Sequence, residues 1–152
     1  MPPKVAPLPT PDFQNEATLF SLACEFLEAA RTLNNSPPAL INYRVVTYYL
    51  AGHAAELNLK SFLFKGGVSI DDLRKRYGHD LKLLVRCARN KGLSSRVSTE
   101  QILSLGSIYS RKLLEYRQSK QLKFPSLDLL LEEVRGLEAE VFNHVAYFQP
   151  SP

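Results

Sequence analysis

Polar residues Gln14, Thr18, Ser21, Glu25, Glu28 and Thr32 recur at steps of three and four, leaving Phe20, Ala23, Cys24, Leu27 and Ala30 on the opposite side. That is the spacing of an amphipathic helix, and it predicts a first helix from about Phe13 to Leu33. The helix stops in "NNSPP", where Asn favours a turn and two prolines forbid continuation. A second helix, from about Ala39 to Lys65, is apolar over most of its circumference and is expected at the centre of the fold; "KGG" ends it, glycine tolerating the left-handed C-terminal conformation.

Beyond Gly67 the periods shorten. Ser69 can cap a short helix whose first turn carries Asp71 and Asp72, where the helix dipole favours negative charge. Gly78 closes that helix, and His79 or Asp80 caps a further one with Leu81, Leu84, Val85 and Ala88 as its buried stripe. Lys82, Arg86 and Arg89 then share the opposite face. In "STEQ", Ser98 caps the next helix in a capping box with Gln101, and the pattern continues through Ile102, Leu105, Tyr109, Leu113 and Tyr116. Pro125 or Ser126 opens a last helix with the cleanest stripe in the chain: Leu127, Leu130, Leu131, Val134, Leu137, Val141, Val145 and Phe148. No alternating strand pattern is present, so the expectation is an all-α fold, an antiparallel up-and-down bundle of about five helices. Residues 1–12 read as a mobile proline-rich tail, 13–148 as a single domain and 149–152 as a second mobile tail.

Composition adds a class and a charge pattern. A chain of 152 residues, 45% hydrophobic, is long enough to bury a core without disulfides or metal. Cys24 and Cys87 stand in apolar helical surroundings and read as small buried hydrophobes of a reduced protein, although their positions leave a bond between them open. The N-terminus has no apolar stretch of signal-peptide type and no run approaches a membrane span, which places the protein in the cytoplasm with no membrane partner. Net charge is +4, yet residues 73–124 hold thirteen Lys or Arg against three acids, a local +10. Such a block is expected of a surface that faces phosphate, or more simply of a solubilising face.

Candidate chemistry concentrates in the second helix. His53, Glu56 and Lys60 share one face of a helix otherwise full of Val, Tyr, Leu and Phe. The modest reading is a helical ion pair plus a histidine bonded to a neighbouring carbonyl or tyrosine; the functional reading is a polar pocket, or a dimer-interface cleft, in which His53 shuttles a proton. His-x-x-Glu alone is too little for a metal site, and neither a metal nor a cofactor is expected. His144 reads as a histidine at the edge of the core. In "YSRKLLEYRQSKQLKFP", Arg111, Lys112, Arg117, Lys120 and Lys123 alternate with Tyr109, Tyr116 and Phe124, cations and aromatics of the kind single-stranded RNA binding uses. Tyr109 is read as core. The phosphate-binding candidates are therefore Arg74, Arg76, Lys82, Arg86, Arg89, Arg111, Tyr116, Arg117 and Lys120.

"HAAELNLKSFLFKGG" in the second helix, "YGHDLKLLV" after it, and "YRQSKQLKFP" before a leucine-rich last helix resemble the HEPN family, the "higher eukaryotes and prokaryotes nucleotide-binding" helical domains. The resemblance, over most of Phe13 to Phe148, implies a small bacterial protein forming a homodimeric bundle. It also implies a bond with RNA, nucleotide or a partner protein such as an antitoxin or nucleotidyltransferase. Active members of the family cut RNA without metal, using an Arg followed four to six residues later by a His near the start of the final helix. Here Arg117 lies close to that place, but Gln118 to Pro125 hold no histidine. Arg74 and His79 have the spacing but fall in the connection after the second helix, so the catalytic assignment is not carried onto them. The expected function is an RNA- or nucleotide-binding, or partner-binding, module without catalysis. The alternatives are a metal-independent ribonuclease, toxin or defence component, with His53 or His79 transferring the proton and Arg74 or Arg117 on the phosphate, Glu56 being a further catalytic candidate, and a structural adaptor bundle.

Overall fold

The computed structural model describes residues 15–36, 43–109 and 123–146. Within them the chain is all-helical: α1 (Glu16–Asn35), α2 (Arg44–Lys65), α3 (Ile70–Asp72), α4 (Leu81–Asn90), α5 (Glu100–Tyr109) and α6 (Leu127–Ala146). The described residues thus hold six helices against a bundle expected to have about five, and the short Ser69-capped helix and the one from Leu81 are separate elements, as the pattern on either side of Gly78 indicates. Both proposed tails, the expected start of α2 at Ala39, and Leu113, Tyr116 and Phe148 lie outside the described residues.

Helix starts follow from local hydrogen bonding. Asn15 caps α1 by accepting from the Thr18 amide at 2.9 Å, while Thr18 Oγ1 accepts from the Asn15 amide at 2.8 Å. Two of the N–H groups that a helix start leaves unpaired are thereby satisfied reciprocally, a capping box. Ser69 caps α3, and at α4 Asp80, rather than His79, accepts from the Leu83 amide at 3.1 Å. The start of α5 departs from expectation. The helix begins at Glu100, so the cap position falls on Thr99 and not on Ser98. A carboxylate from α6 serves it instead: Glu133 accepts from the Ile102 amide and from the Ser98 hydroxyl, both at 2.9 Å. Negative charge at that end also complements the helix dipole.

α2 is the central element, packing against α1, α4, α5 and α6. Tyr48, Ala51, Ala54, Ala55, Leu59, Phe62 and Leu63 are all buried along it, which is why its sequence is apolar nearly all round. Near one end of α2 the Tyr48 hydroxyl donates to the Pro125 carbonyl at 2.5 Å; near the other, the rings of Phe62 and His144 meet edge to face at 4.9 Å. α6 therefore runs in the same sense as α2. α1 is antiparallel to α2, since the Ser61 hydroxyl near the end of α2 donates to the carbonyl of Glu16 at the start of α1, at 2.7 Å. The α6 stripe closes the core with Leu130, Leu131, Val134, Leu137 and Val141 buried, and α4 contributes the expected Leu81, Leu84, Val85 and Ala88.

After Asp72 the chain widens into a π-helical turn, Leu73–Tyr77, closed by the Gly78 amide donating to the Leu73 carbonyl at 3.2 Å. Gly78 then adopts φ of 50° with ψ of −123°, a conformation that a side chain would strain. Leu73 and Tyr77 anchor the turn in the core, and His79 follows immediately. No helix among the described residues is long and apolar enough to cross a membrane.

The Glu133 cap gives a direct check. Glu133→Ala should lower stability by about 1–2 kcal/mol, the usual value of a lost N-cap, read as a lower urea midpoint with unchanged slope. Glu132→Ala, at an exposed position one residue earlier, should leave the midpoint within about 0.5 kcal/mol of the parent.

Candidate functional site around Glu56

One residue of the next α2 turn and two from elsewhere in the chain meet at a single α2 carboxylate. Glu56 is 3% exposed, and a carboxylate so far from water costs several kcal/mol unless it is paired and hydrogen-bonded. Its partners are Lys60 Nζ at 3.1 Å from Oε2, and the Tyr109 hydroxyl at 2.9 Å and His79 Nδ1 at 2.6 Å from Oε1. Lys60 comes from the next turn of α2, Tyr109 from the end of α5, and His79 from the turn before α4. Glu56 thus ties three separate elements to one point.

The proton inventory fixes the direction of these bonds. An ionised carboxylate only accepts, so His79 donates from Nδ1 and Tyr109 donates its single hydroxyl proton. Tyr109 Oη also lies 3.0 Å from His53 Nδ1. With its own proton committed to Glu56, the phenol oxygen must accept there, so His53 also carries its proton on Nδ1. A continuous chain results: His53 to Tyr109 to Glu56, with His79 and Lys60 joining at the carboxylate.

The two imidazoles differ in setting. His53 stacks on Phe26 at 5.0 Å and meets the edges of Tyr49 and Tyr109 at 4.4 and 5.5 Å, a half-buried ring in an aromatic enclosure. The His79 side chain is 49% exposed, and its ring centroid lies 6.3 Å from that of His53. His79 is thus the member of the cluster held in a fixed orientation at the surface.

Gly52 makes the approach of Tyr109 geometrically feasible. A Cβ on Gly52 would lie 2.6 Å from Tyr109 Cδ2 and 2.7 Å from Cε2, distances that side chains do not tolerate. Only a glycine on this turn of α2 lets the ring lie flat enough for its hydroxyl to reach Glu56.

The basic candidates separate into three groups. Arg74 and Arg76, with Lys75, are exposed on the π-helical turn, and Lys82 and Arg86 are exposed on α4. Arg89 departs from the expected row. Its guanidinium donates to the carbonyl of Ser94, to the carbonyl of Val97 at 2.6 Å and to Thr99 Oγ1 at 3.1 Å, so it holds the α4–α5 loop together rather than facing solvent. A fork of N–H donors suits several carbonyls converging from one loop. Arg111, Tyr116, Arg117 and Lys120 lie outside the described residues.

Tyr109 is core, as its 4% exposure shows, but its hydroxyl makes it equally a member of the polar cluster. Gly52 is a functional position that the helical pattern does not mark, although an isolated glycine inside a helix is itself a sign of close packing. His144 is exposed and pairs with Glu140 at 3.5 Å. Cys24 and Cys87 are free thiols; burial first, and then the neighbouring Glu138 carboxylate, push the Cys24 thiol up to about 12. Grooves between α1 and α6, lined by Arg31, Asn35, Glu132 and Glu138 among others, involve no residue of the Glu56 cluster. Among the described residues no group of three or more His, Cys, Asp or Glu could hold a metal ion.

Fold and site together define an all-helical bundle organised around a buried carboxylate whose partners are an amine, a phenol and an imidazole. Compared with protein-family models, curated proteins and solved structures, the chain matches none.

Gly52→Ala should cost about 1–3 kcal/mol as an overpacking change, and Tyr109→Phe about 1–3 kcal/mol through the partners left unpaired. Because both act on one contact, the double variant should cost less than their sum by at least about 0.5 kcal/mol. Chemical denaturation of the four proteins measures this, and strict additivity would contradict the geometry.

Proposed function

We propose that this chain is a HEPN-like helical module that binds RNA through the basic surface of the π-helical turn and α4. The observation that supports this best is the exposure of Arg74, Lys75, Arg76, Lys82 and Arg86 on two consecutive elements, while Arg89 in the last turn of α4 is committed internally. Flexible exposed cations neutralise phosphates without reading sequence, so the binding is electrostatic and sequence-tolerant. The turn that carries three of them is fixed at both ends: Leu73 and Tyr77 are buried, and His79 is bonded to Glu56. Those cations are thus presented from an anchored backbone, which reduces the ordering cost of binding. Self-association, implied by the family resemblance, would place two such surfaces in one particle.

Titration of a fluorescent single-stranded oligoribonucleotide against salt tests this reading. Four phosphate contacts predict a slope of log K against log salt of about −3, at roughly −0.7 per contact for single strands. Replacing Arg74, Arg76, Lys82 and Arg86 by Ala should abolish most of that slope, whereas Arg89→Met should leave it unchanged while lowering stability. Absence of binding at low salt, or a slope indifferent to the four replacements, would contradict the assignment.

A further inference from the structure

We propose that the α1–α6 face of one copy docks the basic turn and α4 of a second copy, so that self-association and RNA compete for the same cations; the competition rests on the phosphate-binding reading above. α1 and α6 together carry eight carboxylates against two guanidiniums, whereas residues 73–90 carry six cations against one carboxylate. These sets occupy different parts of the bundle, since α1 packs on α2 and α6 while α4 packs on α2 and α5. Both faces hold charge that their own chain does not pair. Glu25, Glu28 and Glu132 are exposed, as are Arg74, Lys75, Arg76, Lys82 and Arg86, and none of them has an ion-pair partner among the described residues. Other acids of the two helices are engaged: Glu16 with Lys65, Glu140 with His144, Glu133 as the α5 cap and Asp128 with Asn34.

The seam between α1 and α6 is grooved, not flat. Glu28, Arg31 and Glu138 border one depression of about 460 Å³, and Arg31, Glu132 and Arg135 border an adjoining one of about 170 Å³. Both leave room for Lys or Arg side chains projecting from a second copy. Those side chains stand on a turn whose Leu73 and Tyr77 are buried, which limits the order lost on docking. Opposite charge steers the two faces together, and the minority charges set the register: Arg31 and Arg135 stand among the acids, and Asp71 and Asp72 beside the cations. Because it joins two different faces the contact is heterologous, unlike a two-fold dimer in which one patch meets itself. Its basic half is also the RNA surface, so a phosphate strand lying on those cations excludes the second copy.

The test uses the full chain in sedimentation velocity, at low salt and in about 1 M salt, where the Debye length shrinks to about 3 Å. The wild type should gain mass with concentration at low salt, and its association constant should fall at least about tenfold at high salt as the charges are screened. Two variants, each checked for folding by its melting curve, separate the faces. One carries Glu25→Gln, Glu28→Gln and Glu132→Gln; the other carries Ala at Arg74, Arg76, Lys82 and Arg86. Each alone should keep its high-salt mass at low salt, whereas an equimolar mixture should associate, because each supplies the face that the other lacks. A short single-stranded oligoribonucleotide should dissolve the wild-type assembly and should bind the Gln variant with the salt slope of the wild type. A wild-type mass indifferent to salt, either variant associating alone, or a mixture that stays apart overturns the contact and leaves RNA binding in place. Assembly that persists with the oligoribonucleotide bound overturns the competition. An oligoribonucleotide that fails to bind while the mixture associates overturns the phosphate-binding reading and not the contact.

Discussion

A buried negative charge sets the terms for this fold. Glu56 sits on the central helix at 3% exposure, where an uncompensated carboxylate would cost several kcal/mol. Compensation comes from Lys60 one turn away and from two groups distant in sequence, Tyr109 and His79. Moving any of these elements leaves charge unpaired in a poorly hydrated place, so the carboxylate penalises alternative arrangements as strongly as it supports the observed one. Pairing a buried charge is weak evidence for net stability, whereas losing one partner is strongly destabilising; here the hub joins α5 and the turn before α4 to α2.

Several backbone features read as consequences of that requirement. Gly52 opens the space that Tyr109 needs in order to bring its hydroxyl to the carboxylate. The π-helical turn and Gly78, with its positive φ, redirect the chain so that His79 folds back on α2 while Asp80, the next residue, caps α4. One short segment therefore anchors three exposed cations, places an imidazole and starts a helix. π-helical turns are uncommon and concentrate at functional sites, which agrees with the position of this one beside the exposed His79.

Much of this was legible in the sequence. Period-3.6 patterning located α1, α4 and α6 and named the buried residues of α4 correctly; for α1, Ala23, Leu27 and Ala30 proved buried, while Phe20 and Cys24 are only partly so. His53, Glu56 and Lys60 could be placed on one face because helix geometry relates residues three and seven apart. Which groups join that face at Glu56 follows from no local rule, since His79 lies 23 positions and Tyr109 53 positions away in the chain. The same limit applies to α5: a capping box was expected within the helix, but the carboxylate came from Glu133, 31 residues from the Ile102 amide it accepts. Arg89 fell into the surface row on periodicity alone, because a helical pattern cannot show that a following loop curls back to offer three acceptors.

The central claim is that Glu56 orders the protons of the cluster, and the tautomeric states of the two histidines report on it directly. Nitrogen-15 NMR of the imidazole rings, with couplings to the ring protons, reads which nitrogen carries hydrogen in each neutral side chain. The hydrogen-bond chain predicts the Nδ1–H tautomer for both His53 and His79, an uncommon state for exposed histidines, and its loss at His79 in Glu56→Gln. An Nε2–H tautomer at His79 in the wild type would mean that Glu56 does not hold the ring, and would contradict the account.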